Sequence, residues 1–117
     1  MQNDKVEYKM RLDDREFTIF ILKAINGCFI SISEGNAHRL GALNVSLTGS
    51  MGTTSTARVI PSKHDSIFLD MLSQRIASML NGICIISMSI NTPLTTTVMK
   101  SIMNNIVAYL SDKGNVT

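Results

Sequence analysis

The period of the hydrophobic pattern changes along this chain, and the order of the changes restricts the fold more than any motif does. Apolar residues recur at every second position through the first half, then at helical spacing, then at every second position again, then at helical spacing to the end. From Lys5 to Leu12, Val6, Tyr8, Met10 and Leu12 alternate with Lys5, Glu7, Lys9 and Arg11, the pattern of a half-buried strand with one wet, charged face. Asp13 and Asp14 supply a turn, and Glu16 to Ile25 is apolar on both sides of the alternation, which predicts a strand covered on both faces. Asn26-Gly27 predicts a type I′ turn, so Cys28 to Glu34 should return antiparallel.

Leu40 to Thr48 reads as a fourth strand, with Leu43, Val45 and Leu47 opposed to Asn44, Ser46 and Thr48; Thr56 to Ile60 reads as a fifth, ended by Pro61. Ser62 and Asp65 are candidate N-caps of a helix with Phe68, Leu69, Leu72, Ile76, Met79 and Leu80 on its apolar stripe. That helix should end at Asn81, with Gly82 as a left-handed cap. Ile83 to Ile90 is a sixth strand. Thr92 as N-cap and Pro93 at the first helical position should open a second helix carrying Leu94, Val98, Met99, Ile102, Ile106 and Leu110, stopped by Gly114. The expected fold class is α+β: a mainly antiparallel six-stranded sheet with both helices on one face, in the order β-β-β-β-β-α-β-α.

With 117 residues, no internal repeat and no low-complexity tract, a single domain over 1–117 is expected, continuous from about Lys5 to Lys113. Eleven Lys and Arg against nine Asp and Glu leave a net charge of +2, and the cations are scattered, which argues against a nucleic-acid partner. The aromatic residues, four Phe and two Tyr with no Trp, fall mostly within apolar periodic segments and read as core. The polar start and the lack of a long apolar run argue against secretion and against a membrane partner, so a cytoplasmic location, extending to the nucleus, is expected.

Candidate chemistry is sparse. Cys28 and Cys84 have no metal-ligand or redox spacing and lie in apolar strands, where a free thiol behaves as a small hydrophobe. His38 falls in a polar turn and His64 near a helix start, neither paired with a Ser or Cys in a nucleophile motif. Gly49-Ser50-Met51-Gly52-Thr53-Thr54-Ser55 has the composition of a phosphate loop but lacks both the Lys-Ser/Thr ending and the following helix. No catalytic, metal or cofactor site is assigned; the chain is expected not to be an enzyme and to need no cofactor.

The segment Phe29-Ile30-Ser31-Ile32-Ser33, then Leu40-Gly41-Ala42-Leu43, then Asn44-Val45-Ser46-Leu47 resembles the proteasome-assembling chaperones. The likeness continues through Ser55-Thr56-Ala57-Arg58-Val59 and the later helix, strand and helix. It is nearest the third type, while Ser50 to Thr56 is similar to the Ser/Thr-rich stretch of the fourth. The resemblance implies a non-catalytic dimer, third type with fourth or a homodimer, that binds proteasome α-type subunits and promotes early assembly of the 20S α-ring. A small α+β adaptor for a GTPase or cytoskeletal protein is the alternative, although in such adaptors a helix usually precedes the first strands.

Two helices cover one face of a six-stranded sheet, so a strand buried on both sides needs a second cover. Phe29, Ser31, Asn44, Ser46, Ile85 and Ser87 are assigned to that second face as dimer contacts, the small polar residues permitting close approach. A solvated Ser/Thr face is the alternative. The irregular stretch Gly49, Ser50, Met51, Gly52, Thr53 and Thr54 is expected to be mobile and to contribute to the α-subunit contact.

Overall fold

A computed structural model describes residues 4–115. The elements are β1 (Lys5–Leu12), β2 (Arg15–Ala24), β3 (Gly27–Glu34), β4 (Ala42–Thr48), β5 (Thr54–Ile60), α1 (Ser66–Leu80), β6 (Ile83–Ser89) and α2 (Thr96–Asn115). They form one open sheet in the order β1-β2-β3-β6-β4-β5. Only β3 and β6 run parallel; every other neighbouring pair is antiparallel.

Alternation decides which residues meet the helices. Phe17, Ile19 and Ile21 of β2, Cys28, Ile30 and Ile32 of β3, and Cys84, Ile86 and Met88 of β6 are all buried. Phe68, Leu69, Leu72 and Ile76 of α1 and Val98, Ile102, Ile106 and Leu110 of α2 complete the core, the i, i+3, i+4 spacing giving each helix one apolar stripe. Val6, Tyr8, Met10 and Leu12 extend it at the β1 edge. The Tyr8 hydroxyl donates to the Asn105 side-chain oxygen on α2, and burial beside Tyr109 pushes its pKa up to about 12.

Asp13 and Asp14 make the expected turn, both left-handed (φ 51° and 63°), as two-residue hairpins between right-twisted strands favour, while several other turns differ from expectation. The β2–β3 turn, between the paired Ala24 and Gly27, is made by Ile25 and Asn26 rather than Asn26-Gly27, and neither of the two is left-handed. Gly27 serves another purpose: a Cβ there would lie 2.0 Å from the Ile83 carbonyl oxygen. The left-handed residue ending α1 is Asn81 (φ 52°) rather than Gly82, whose own Cβ would lie 2.3 Å from the Asn26 oxygen. Asp65 precedes α1 without capping it by its side chain; its carboxylate instead accepts from the Leu94 N–H at 2.7 Å. Residues 49–53 form a closed hairpin turn, with Gly49 N–H donating to the Thr53 oxygen at 2.8 Å. Thr54 and Ser55 belong to β5, so the long irregular stretch expected there is shorter and internally bonded.

Thr92-Pro93 does not start α2. Thr95 caps it, its Oγ1 accepting from the Val98 N–H at 3.2 Å, and the helix continues through Gly114. The carbonyls of Thr92 and Pro93 accept from the Arg15 guanidinium, each at 2.9 Å. Arg15 also grips Glu34 with two bonds of 3.0 and 2.8 Å, and Glu34 accepts from the Asn91 N–H at 2.9 Å. This fork ties the ends of β2 and β3 to the β6–α2 connection, with both side chains largely buried.

The bonds from Arg15 hold the Glu34 carboxyl below its usual range. A carboxylate whose folded pKa is depressed contributes stability above its unfolded value, near 4.3, and loses it as the pH falls through the folded value. Glu34→Gln should therefore cost about 2 kcal/mol at neutral pH, the usual size for charge-assisted bonds. The gap to wild type should close in urea melts taken well below pH 4.3; a gap that persists there would assign the loss to packing instead.

Candidate functional site

The site is the sheet face turned away from the helices. In register, Leu22 of β2 lies beside Phe29 of β3, Phe29 beside Ile85 of β6, Ile85 beside Val45 of β4, and Val45 beside Ala57 of β5. Strand alternation places all five on the open side, so an unbroken apolar row crosses five strands. Flanking rows add Phe20 and Leu43 on one side and Ile83 and Leu47 on the other. Exposure rises outward: Phe29, Ile85 and Val45 are half-buried, whereas Leu22, Leu47 and Val59 are 38%, 50% and 56% exposed. The rings of Phe20 and Phe29 meet at 6.3 Å with a tilted geometry, which stiffens the middle of the surface.

One end of this face is covered by the chain itself. The 35–41 connection, the longest between elements, folds back over the sheet. The Thr18 hydroxyl donates to the Gly35 oxygen at 2.7 Å, Ser33 Oγ bonds both the N–H and the carbonyl of Arg39, and Ser87 Oγ accepts from the Gly41 N–H at 3.1 Å. His38 in this loop packs edge-on against Phe20 and sits 2.7 Å from the Glu7 carboxylate. Thr18, Ser33 and Ser87 are therefore buried by their own loop. At its border lies Ser31, whose buried Oγ has no hydrogen-bond partner.

The residues assigned from sequence divide accordingly. Phe29, Ser31, Ile85 and Ser87 lie on the open side, Phe29 and Ile85 within the uncovered row and Ser87 under the loop. Asn44 and Ser46 do not belong there. They face α1: Asn44 Nδ2 donates to Asp70 Oδ1 at 2.8 Å, and Ser46 Oγ donates to Ser73 Oγ at 2.9 Å. Asp70 is also paired with Arg58 at 2.6 Å, and the bonds from Arg58 followed by that from Asn44 hold its carboxyl low. Leu43, Val45 and Leu47 occupy the open face in place of that polar set. Leu22, Val45 and Leu47 were missed as surface residues, although their register opposite Phe29 and Ile85 follows once the strand order is known. Gly49, Ser50, Met51, Gly52, Thr53 and Thr54 lie at the β4–β5 end of the sheet, with Met51 87% exposed.

The chemistry available is meagre. Cys28 and Cys84 are free, buried neighbours across the parallel β3–β6 pair. Their shared hydrogen bond and their burial push the Cys84 thiol upward, leaving it a poor nucleophile. Among the described residues no group of three His, Cys, Asp or Glu is placed to hold a metal ion, and no helix is long and apolar enough to cross a membrane.

No family model and no curated protein matches the chain in sequence. Among solved structures, a chain of a chaperone complex for yeast 20S proteasome assembly superposes with a TM-score of 0.65 at 10% identity, covering 94% of this chain and 98% of that one. The chain thus shares with a proteasome-assembly chaperone its α+β fold over nearly the whole length of both.

Proposed function

We propose that the chain is a non-catalytic assembly chaperone that pairs through its open sheet face with a homologous chain, and that the pair holds a proteasome α-type subunit during α-ring formation. The observation that carries this reading is the row Leu22, Phe29, Ile85, Val45 and Ala57, an apolar strip of the kind a monomer rarely leaves in water. Two such sheets stacked face to face at about 10 Å would bury it. The fold shared with a chain of a yeast 20S proteasome assembly complex supports the same reading. Two unpaired buried cysteines fit the reducing cytoplasm, where we place the protein.

Sedimentation of the purified chain, followed by native mass spectrometry with purified proteasome α-type subunits, tests both parts. A dimer at micromolar concentration that retains one α-subunit is expected. A monomer removes the sheet-face reading; a dimer that ignores every α-subunit favours a different client, such as the GTPase of a small adaptor. The exposed turn at 49–53 is included in the client contact. Replacing it with a simple Gly-Ser turn should preserve the dimer and lower α-subunit retention several-fold, because few buried contacts depend on it. Unchanged retention would move the contact elsewhere.

A further inference from the structure

On the opposite side of the molecule α1 and α2 lie over the sheet and approach each other near their C-terminal ends, where the Ser111 hydroxyl lies 3.5 Å from Met79 Sδ. Between them lies a groove of about 580 Å³ lined by Asp65 at its end, by Ile67, Phe68 and Met71 from α1 and by Met99, Lys100 and Met103 from α2. A second depression shares Met71 and Met103 and continues past Gln74 and Arg75 to Ser78. From Ser66 to Ser78 the trough is about 18 Å long at 1.5 Å per residue, the length of a three-turn helix.

The groove has an apolar floor and a basic rim. Ile67 and Met71 are 70% and 55% exposed, well above what the core leaves accessible. Three of its lining residues are methionines, whose unbranched side chains adapt to varied apolar shapes. Lys100 and Arg75 stand exposed on opposite walls. Asp70 is neutralised by Arg58, whereas Asp65, at the N-terminal end of the groove, keeps its charge while accepting from Leu94 N–H. The unpaired cations Lys100 and Arg75 therefore make the trough positive beyond that end. A second copy of this chain is a poor occupant, since Asp65 and Asp70 are the only acids among the described side chains of α1, α2 and their leading turns; Asp70 is paired with Arg58 and Asp65 lines the groove itself.

We propose that this groove docks an amphipathic helical segment of a partner protein, its apolar stripe on the methionines and its acidic flanks against Lys100 and Arg75. Helices recognised this way place apolar anchors at i, i+3 or i+4, and i+7. The site is independent of what covers the open sheet face, from which the sheet and both helices separate it.

The probe is a fluorescent helical peptide of roughly 14 residues with Leu at those anchor positions and Glu elsewhere. A second peptide carries Lys in place of Glu, and oleate represents an acyl occupant. The Glu peptide should bind, shifting the methyl NMR signals of Met71, Met99 and Met103 and leaving those of Met10 and Met88 in place. The double variant R75E/K100E, at two exposed positions, should weaken it at least about tenfold and admit the Lys peptide. The open-face variant Phe29→Glu should bind the Glu peptide as wild type does. Equal binding of both peptides, indifference to the double reversal in a chain with wild-type circular dichroism, or shifts confined to other methionines would overturn the proposal. So would oleate displacing the peptide from the three methionines at lower concentration than the peptide needs.

Discussion

A chain carrying Phe29→Glu should sediment as a monomer at concentrations where the wild-type chain is dimeric, with its helical circular dichroism unchanged. Phe29 sits in the middle of the apolar row, between Leu22 and Ile85, and points away from both helices. In the monomer its ring is partly accessible on the open face, so a carboxylate there can turn toward water and disturbs little beyond the contact with Phe20. In a stacked pair of sheets the same carboxylate would be stripped of water with no cation opposite it. The charged edge strand β1 offers Lys5 and Lys9 on this face, yet both lie at its border, two strands from Phe29. A central anchor of this kind is worth about 3 kcal/mol or more, a rise in dissociation constant of about a hundredfold. Val59→Glu on edge strand β5, 56% exposed, should weaken the dimer far less. Equal effects from the two substitutions would mean that the apolar row is not the centre of the contact.

The strands and helices could be read from the sequence because each is set by its own periodicity, and that signal is local. Which side of a strand meets the core is settled by distant residues, and there the reading failed for β4. Its alternation was legible, but the apolar set Leu43, Val45 and Leu47 faces outward, while Asn44 and Ser46 face inward. They are tolerated inside because α1 presents Asp70 and Ser73 to bond them, a pairing across about 26 residues that leaves no trace in the local pattern. Thr92-Pro93 misled for the same reason. Its carbonyls are claimed by Arg15, more than 70 residues earlier, so the helix waits for Thr95. The self-covering loop at 35–41 was equally hidden, since serine on an open strand face has the same appearance whether water or backbone answers it.

The Asn26-Gly27 pair shows how a correct signal can carry the wrong cause, and it leads to the largest expected loss of stability. Gly27→Ala should destabilise the chain by about 3 kcal/mol or more, seen as a fall in melting temperature. The obstacle is space. An alanine Cβ would sit 2.0 Å from the Ile83 carbonyl oxygen and 2.8 Å from its carbon, and backbone cannot rotate aside as a side chain can. Gly82 faces the reciprocal restriction against the Asn26 oxygen, so the two strands approach through glycine on both sides where the parallel pair begins. Relief requires β6 to move away from β3, which breaks the bond from Ile83 N–H to the Asn26 oxygen, now 2.9 Å, and opens the first turns of the ladder. Each buried backbone group left unpaired costs about 1–3 kcal/mol. The displacement reaches function as well, because this crossing fixes the register that sets Phe29 beside Ile85. A folded Gly27→Ala chain should therefore dimerise less well than its residual stability alone would allow. Wild-type melting would show that the strands can separate here without loss, and that the close approach is incidental to the sheet.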